Sequence, residues 1–233
     1  MDAILDLKIF QEINRSHTCF CIDFAAEYEN TLNIVFESIA RQLEECGFAL
    51  LDQAFEKSAL DALRSEAMVE YEEGLFKRAA IGKGLEKKAI AEIRGDRVKW
   101  LDRAAASENQ QVYWQTMDEL RNFLTSYFRV HLERTEAHFA VYPEGAFYAK
   151  HLDQFQTASN RIFSVILYLN PDWVEGHGGE LRVHHADGTI SDFAPLYGRL
   201  ILFRSDAIEH EVMVTTKPRV SLTGWMRRDP LLV

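Results

Sequence analysis

The sequence predicts an α+β fold in which helices come first and a jelly roll of short strands follows. Two changes of texture carry that reading. Before residue 130, apolar residues recur at helical spacing in three separate stretches. After His138 the pattern turns to short β-rich runs separated by the turn signals P-E-G, N-P-D, G-H-G-G and A-D-G-T. Short strands closing into two sheets make a jelly roll, which protects its edges and leaves a mouth for ligands. With 233 residues, 47% of them hydrophobic, the chain can bury a substantial core as a single domain, 1–233. Residues 1–135 should supply helical support, the first strands and a loop, and residues 136–229 the jelly roll.

Taken in order, residues 1–29 carry no pattern beyond a possible extra helix or ordered tail. Asn30 to Gly47 places Leu32, Val35, Phe36, Ile39 and Leu43 on one helical stripe and ends on a glycine, the usual stop. Phe48 to Leu51 reads as a strand. Lys57 to Glu73 reads as a helix opened by an acidic or serine cap, with Leu60, Leu63, Ala67 and Tyr71 in register. A third helix is expected from Gln110 to Arg129, carrying Trp114, Met117, Leu120, Leu124 and Phe128. These stripes are core surfaces that should buttress the sheet.

Chemistry concentrates in the second half. In an extended strand alternate side chains share a face, so His151 and Asp153 project together while Leu152 points away. His210 would join them from a strand 59 residues later. Two imidazoles and a carboxylate leave coordination positions open, the ligand set of non-haem Fe(II) oxygenases, although the same donors also suit zinc. An isolated H-x-D is common on surface strands, so its company matters. In K-P-R-V-S-L-T-G-W, Arg219, Ser221, Thr223 and Trp225 share one face, and an arginine there can clamp a carboxylate with two hydrogen bonds. Tyr142 and Tyr148 bracket the P-E-G turn, and Tyr168 lies in an apolar strand where its hydroxyl needs a partner, either a backbone carbonyl or a carboxylate bound beside Arg219. His177, His184 and His185 are assigned to loop or surface positions.

Read together, H-F-A-V-Y-P-E-G-A-F-Y-A-K-H-L-D, V-I-L-Y-L-N-P-D-W, G-G-E-L-R-V, S-D-A-I-E-H-E-V and R-V-S-L-T-G-W resemble the catalytic core of the 2-oxoglutarate- and Fe(II)-dependent oxygenases, whose fold is the double-stranded β-helix. I-R-G-D-R-V-K-W-L-D, from Ile93 to Asp102, is similar to the oxygen-sensing type of prolyl 4-hydroxylase and its bacterial relatives. The resemblance implies Fe(II) bound by His151, Asp153 and His210, and 2-oxoglutarate held at its far carboxylate by Arg219 and Tyr168. It places Tyr142 beside the cosubstrate and the iron, with Tyr148, Leu181, Thr223 and Trp225 lining the pocket. It puts Arg94 near the substrate channel and pairs Asp96 with Arg161. Oxygen is the second cosubstrate and ascorbate an accessory reductant. Asp153 favours hydroxylation, because halogenating relatives lack that carboxylate.

The remaining features bound the partners. Residues 1–73 hold 16 acidic and 5 basic side chains, whereas residues 77–103 hold 9 basic and 4 acidic. The second stretch, with Gly82 and Gly84, reads as a basic lid, and Lys83, Lys87 and Lys88 would face an acidic region of a protein substrate. A net charge of −10 disfavours nucleic acid, and no apolar run approaches the ~18 residues that span a bilayer. No signal peptide opens the chain, and Cys19, Cys21 and Cys46 fit no disulfide or zinc pattern, so a cytoplasmic location is expected. Three functions follow from different classes: a prolyl hydroxylase acting on a protein, elongation factor Tu if the chain is bacterial; an oxygenase of a free amino acid or other small molecule; and a metal-retaining jelly roll without turnover.

Overall fold

A computed structural model describes residues 24–79, 93–154 and 160–228, with side chains from residue 33 onward. Helix α1 (Phe24–Cys46) starts six residues before the expected Asn30, and its Ala-Ala-Glu opening is made of strong helix formers. It stops where Gly47 takes φ 77 and returns its N–H to the Leu43 carbonyl at 3.0 Å. Strand β1 (Phe48–Leu51) follows as expected. Helix α2 (Lys57–Glu72) has Glu56 at its N-cap, but that side chain makes no capping hydrogen bond, so the expected acidic or serine cap is not formed. Strands β2 (Lys77–Arg78) and β3 (Arg97–Trp100) flank an interval that holds Gly82, Lys83, Gly84, Lys87 and Lys88, and the expected lid there lies outside the described residues. Helix α3 (Glu108–Phe128) begins two residues earlier than expected, because the Ser107 hydroxyl accepts the Gln110 N–H at 3.2 Å.

Eight strands complete the chain: β4 (Arg134–Tyr142), β5 (Tyr148–His151), β6 (Arg161–Tyr168), β7 (Leu181–His184), β8 (Ile190–Phe193), β9 (Leu200–Arg204), β10 (Glu209–Val212) and β11 (Arg219–Arg227). They form one sheet of order β1-β9-β6-β11-β4-β3-β2 and a second of order β5-β10-β7-β8, with every pairing antiparallel.

The large sheet is buried on both faces, which explains its continuous apolar strands. Its outer face (Phe139, Val141, Val165, Leu167, Leu202 and Leu222) packs on Leu63, Trp114, Met117, Leu120 and Leu124 from the helices. Each such side chain contributes roughly 1.5–3 kcal/mol on leaving water. Its inner face carries the alternate residues. On β4 these are His138, Ala140 and Tyr142; on β6 Ser164, Ile166 and Tyr168; on β11 Arg219, Ser221, Thr223 and Trp225. Ile166, Tyr168, Ile201 and Phe203 meet Leu181 and Val183 of the small sheet, while the rest of the inner face borders an open chamber.

Candidate active site

Three ligand-type side chains converge on one point of this chamber. β5 and β10 pair antiparallel with His151 directly opposite His210, so both imidazoles leave the small sheet toward the large one. Asp153 follows two residues after His151, just past the strand end. The donor atoms of the three lie within 4.8 Å of one another. The Asp153 carboxylate stands 3.5 Å from His151 Nε2 and 3.7 Å from His210 Nε2.

Each imidazole is oriented by the backbone. His151 Nδ1 lies 2.7 Å from the Ala149 carbonyl and His210 Nδ1 3.0 Å from that of Ile208, so each Nδ1 carries the proton and each Nε2 lone pair faces the centre. Burial pushes His210 below the usual histidine range, against the pull of Asp153. Burial alone would raise the Asp153 carboxyl, but His210, His151 and the Ser164 hydroxyl outweigh it and hold Asp153 well below the usual carboxylate range. Two imidazoles and one carboxylate suit a divalent metal of the iron or zinc type.

At the far end of the chamber lies Arg219, only 3% exposed. Its Nε donates to the Gly179 carbonyl at 2.9 Å, and its guanidinium sits 4.7 Å from the Tyr142 ring and 4.9 Å from the Tyr168 ring. Among the described residues no carboxylate forms an ion pair with it, and the adjacent Tyr168 hydroxyl is buried without a hydrogen-bond partner. Burial, opposed by Arg219, raises the Tyr168 phenol, and burial raises Tyr142 as well, so both stay protonated donors. A buried cation beside an orphaned hydroxyl is costly unless an anion completes it. The carboxylate of 2-oxoglutarate fits that requirement.

The cavity between these poles measures about 280 Å³ and is lined by His151, Asp153, His210, Arg219, Tyr142, Tyr148, Leu181, Thr223, Trp225 and Arg94. Ten of the twelve residues expected from the sequence therefore reach it. Tyr168 lies behind the wall beside Arg219, and Asp96, 2% exposed, lies behind Arg94. Tyr148 stacks on His151 with ring centres 3.6 Å apart.

One expected pairing is corrected. Asp96 is bound by Arg94, at 2.6 and 2.5 Å, and not by Arg161. Arg161 instead pairs with Glu136 at 3.0 Å and lies 3.6 Å over the Trp225 ring. The reason is register. Glu136 faces Trp225 across β4 and β11, and Trp225 faces Ser164 across β11 and β6, which brings Glu136 within reach of Arg161. Asp96 belongs to a segment bridged to Tyr148 through Arg94. There Gly95 approaches so closely that a Cβ would meet that of Ala146 at 2.9 Å.

Sequence reasoning assigned no site role to His138, Trp100 or Ser164, although Trp100 lies in the I-R-G-D-R-V-K-W motif. His138 clusters with Trp100 and Trp225 in the cavity wall, the three rings in mutual contact, and among the described residues its buried Nδ1 has no hydrogen-bond partner. Its signal was available, since strand alternation puts His138 on the face of Tyr142. His184 and His185 pair with Glu211 and Ser191 outside the chamber, as expected of surface residues.

Residues 137–227 match the 2OG-Fe(II) oxygenase superfamily. A hypoxia-inducible factor prolyl hydroxylase of Caenorhabditis elegans is 27% identical over 205 residues, 83% of this chain, and the chain spans 28% of that relative's length. A prolyl hydroxylase from Trichoplax adhaerens, solved with a hypoxia-inducible factor oxygen degradation domain peptide, shares the fold with a TM-score of 0.78 at 22% identity, over 86% of this chain and 92% of that one. A Pseudomonas putida prolyl-4-hydroxylase aligns at 35% identity with a TM-score of 0.76, covering 84% of this chain and 100% of its own. Likeness to that bacterial enzyme extends over its whole length, and the superfamily match spans the strands that carry the metal-type donors and Arg219, so the chain belongs to the prolyl 4-hydroxylases of the 2-oxoglutarate- and Fe(II)-dependent oxygenase superfamily.

Proposed function

We propose that the protein hydroxylates a prolyl residue of a protein substrate, consuming 2-oxoglutarate and oxygen and releasing succinate and carbon dioxide. The observation that carries this is the buried, anion-seeking Arg219 facing the His151–Asp153–His210 cluster across one cavity. When bound, Fe(II) with 2-oxoglutarate and oxygen supplies the oxidising power for an unactivated C–H bond; the chain binds, orients and excludes water. His151, Asp153 and His210 hold the metal. Arg219 and the Tyr168 hydroxyl grip the far carboxylate, Tyr142, Leu181 and Thr223 pack along the cosubstrate, and Trp225, Tyr148 and Arg94 border the substrate.

A protein substrate is favoured over a free amino acid by the rim. Trp100 is 51% exposed at the mouth, and the Arg94–Asp96 pair braces Tyr148 beside it, an extended wall suited to a peptide rather than to a small molecule closed in on all sides. Elongation factor Tu is the proposed bacterial substrate, ascorbate the accessory reductant, and the cytoplasm the location. Among the described residues no helix is long and apolar enough to cross a membrane.

Anaerobic loading with Fe(II) and 2-oxoglutarate, then oxygen and mass spectrometry of elongation factor Tu, tests the reading. One added oxygen on a proline, absent with His210→Ala, supports it. Succinate formation without a modified protein would move the substrate to a small molecule, and no binding of 2-oxoglutarate would remove the enzymatic reading.

A further inference from the structure

Asp153 has two carboxylate oxygens, and the structure treats them differently. Oδ1 stands 3.5 Å from His151 Nε2 and Oδ2 3.7 Å from His210 Nε2, so distance alone lets either or both face a shared metal. Among the described residues Oδ2 alone accepts a hydrogen bond, at 2.6 Å from the Ser164 hydroxyl. Ser164 in turn lies 2.8 Å from the Ser205 hydroxyl, and both serines are 0% exposed. An ionised carboxylate can only accept, so Ser164 donates to Asp153 and must accept from Ser205. The pair is a directed chain, Ser205 to Ser164 to Asp153.

The backbone holds this chain at both ends. Ser205 donates its N–H to the Ile162 carbonyl at 3.0 Å and accepts from the Gln154 N–H at 3.1 Å. The turn after β9 is thereby tied both to the start of β6 and to the residue that follows Asp153. Ser164 is also the inward neighbour of Trp225 across β6 and β11, so its position is set by sheet register rather than by a loop. Small hydroxyl residues buried completely in a sheet of Val, Ile, Leu and Phe need a polar reason to be there.

We propose that Ser164, backed by Ser205, is a positioning residue that ties up Asp153 Oδ2 and makes the aspartate a one-oxygen ligand through Oδ1. The inference rests on the metal-site reading above. Its consequence is a matter of donor count: three protein donors and a two-point cosubstrate leave one of six positions open, whereas an aspartate binding through both oxygens would fill it. Partners one layer out from metal ligands commonly fix ligand orientation in this way.

Cobalt(II) substitution of the full chain, without oxygen, tests the idea independently of the substrate. The readouts are Co(II) affinity by calorimetry and the Co(II) visible absorption, which responds to coordination number, each with 2-oxoglutarate present. Ser164→Ala is expected to weaken Co(II) binding about tenfold or more and to alter the absorption, and Ser164→Thr, which keeps the hydroxyl, to restore both. Ser205→Ala should move both readouts in the same direction by less, and the double alanine variant should be no worse than Ser164→Ala, because Ser205 acts through Ser164. Wild-type affinity and spectrum in Ser164→Ala, with binding lost in His210→Ala, would overturn the inference and leave the metal site standing. A folded wild-type chain that binds no Co(II) would overturn both. Should circular dichroism show Ser164→Ala unfolded, Ser205→Ala decides: unchanged affinity and absorption would end the proposal.

Discussion

Replacing His138 with phenylalanine should remove a pH dependence from the stability of the protein. His138 is 4% exposed, and burial, then the nearby Arg94 and Arg161 cations, push its imidazole down to about 3, against a weaker pull from Asp153. In the unfolded chain the same group titrates near 6.5. Between those values the unfolded state binds the extra proton and the native state refuses it, so stability falls as the pH drops below the unfolded value and keeps falling down to the native one. At about pH 5 the loss relative to neutral pH is about 2 kcal/mol, from the one and a half pH units then traversed at ~1.4 kcal/mol each. Phenylalanine keeps an aromatic ring against Trp100 and Trp225 and cannot titrate. Urea unfolding of metal-free wild type and variant, at about pH 7.5 and about pH 5, measures the difference. His210 and the carboxylates contribute to both proteins, so the comparison isolates His138. Wild type should lose about 2 kcal/mol more than the variant on acidification. If both lose the same amount to within ~0.5 kcal/mol, His138 is not held neutral and its reading as an uncharged wall of the chamber fails.

Arg219→Lys should raise the 2-oxoglutarate KM by roughly ten- to a hundredfold with a smaller change in kcat, the cost of one charge-assisted hydrogen bond; titration of initial rates with 2-oxoglutarate checks it. Asp96→Asn strips the partner from Arg94, whose side chain is 14% exposed, and should lower stability by about 3 kcal/mol and weaken the protein substrate while sparing 2-oxoglutarate binding, read by thermal unfolding and by separate KM values. Gly95→Ala drives a methyl to 2.9 Å from Ala146 Cβ and should displace Arg94, reducing kcat/KM for the protein substrate alone. Glu136→Gln leaves Arg161 without its carboxylate and should make the enzyme newly sensitive to inhibition by small anions, measured as turnover against added chloride.

What the sequence could and could not disclose follows from the range of each interaction. His151 and Asp153 were legible because strand alternation is local, and Arg219, Thr223 and Trp225 because they share one strand face. The same rule applied to β4 would have found His138, whose face is fixed by Tyr142 four residues on. Ser164 and Ser205 were not legible, because their roles depend on a 2.8 Å contact across 41 residues. The Asp96 partner was misassigned for a related reason: Arg94 and Arg161 both reach the cavity, and only the register of β4, β11 and β6 gives Arg161 to Glu136. The α3 boundary differed because Ser107, a strong N-cap, stands two residues before the first residue expected from the apolar stripe and its surroundings.

The three arginines of the chamber show how the fold assigns a site for its cosubstrate. Arg94 is paired with Asp96, and Arg161 with Glu136, a carboxylate that it shares with Arg227. Arg219, the most buried of the three, has a carbonyl, a serine hydroxyl and two aromatic faces around it instead. Hydrogen bonds and rings orient a guanidinium, but none of them cancels its charge. Among the described residues Arg219 is the chamber arginine that no carboxylate contacts, and it lies at the opposite end of the cavity from Asp153. On the proposed function, a metal held by His151, Asp153 and His210 and the Arg219 cation would fix the two ends of 2-oxoglutarate, so the molecule would enter in one orientation only. Pairing the other two arginines matters as much as leaving Arg219 unpaired, because a second free cation near Trp225 would draw the cosubstrate toward the space that the target proline needs.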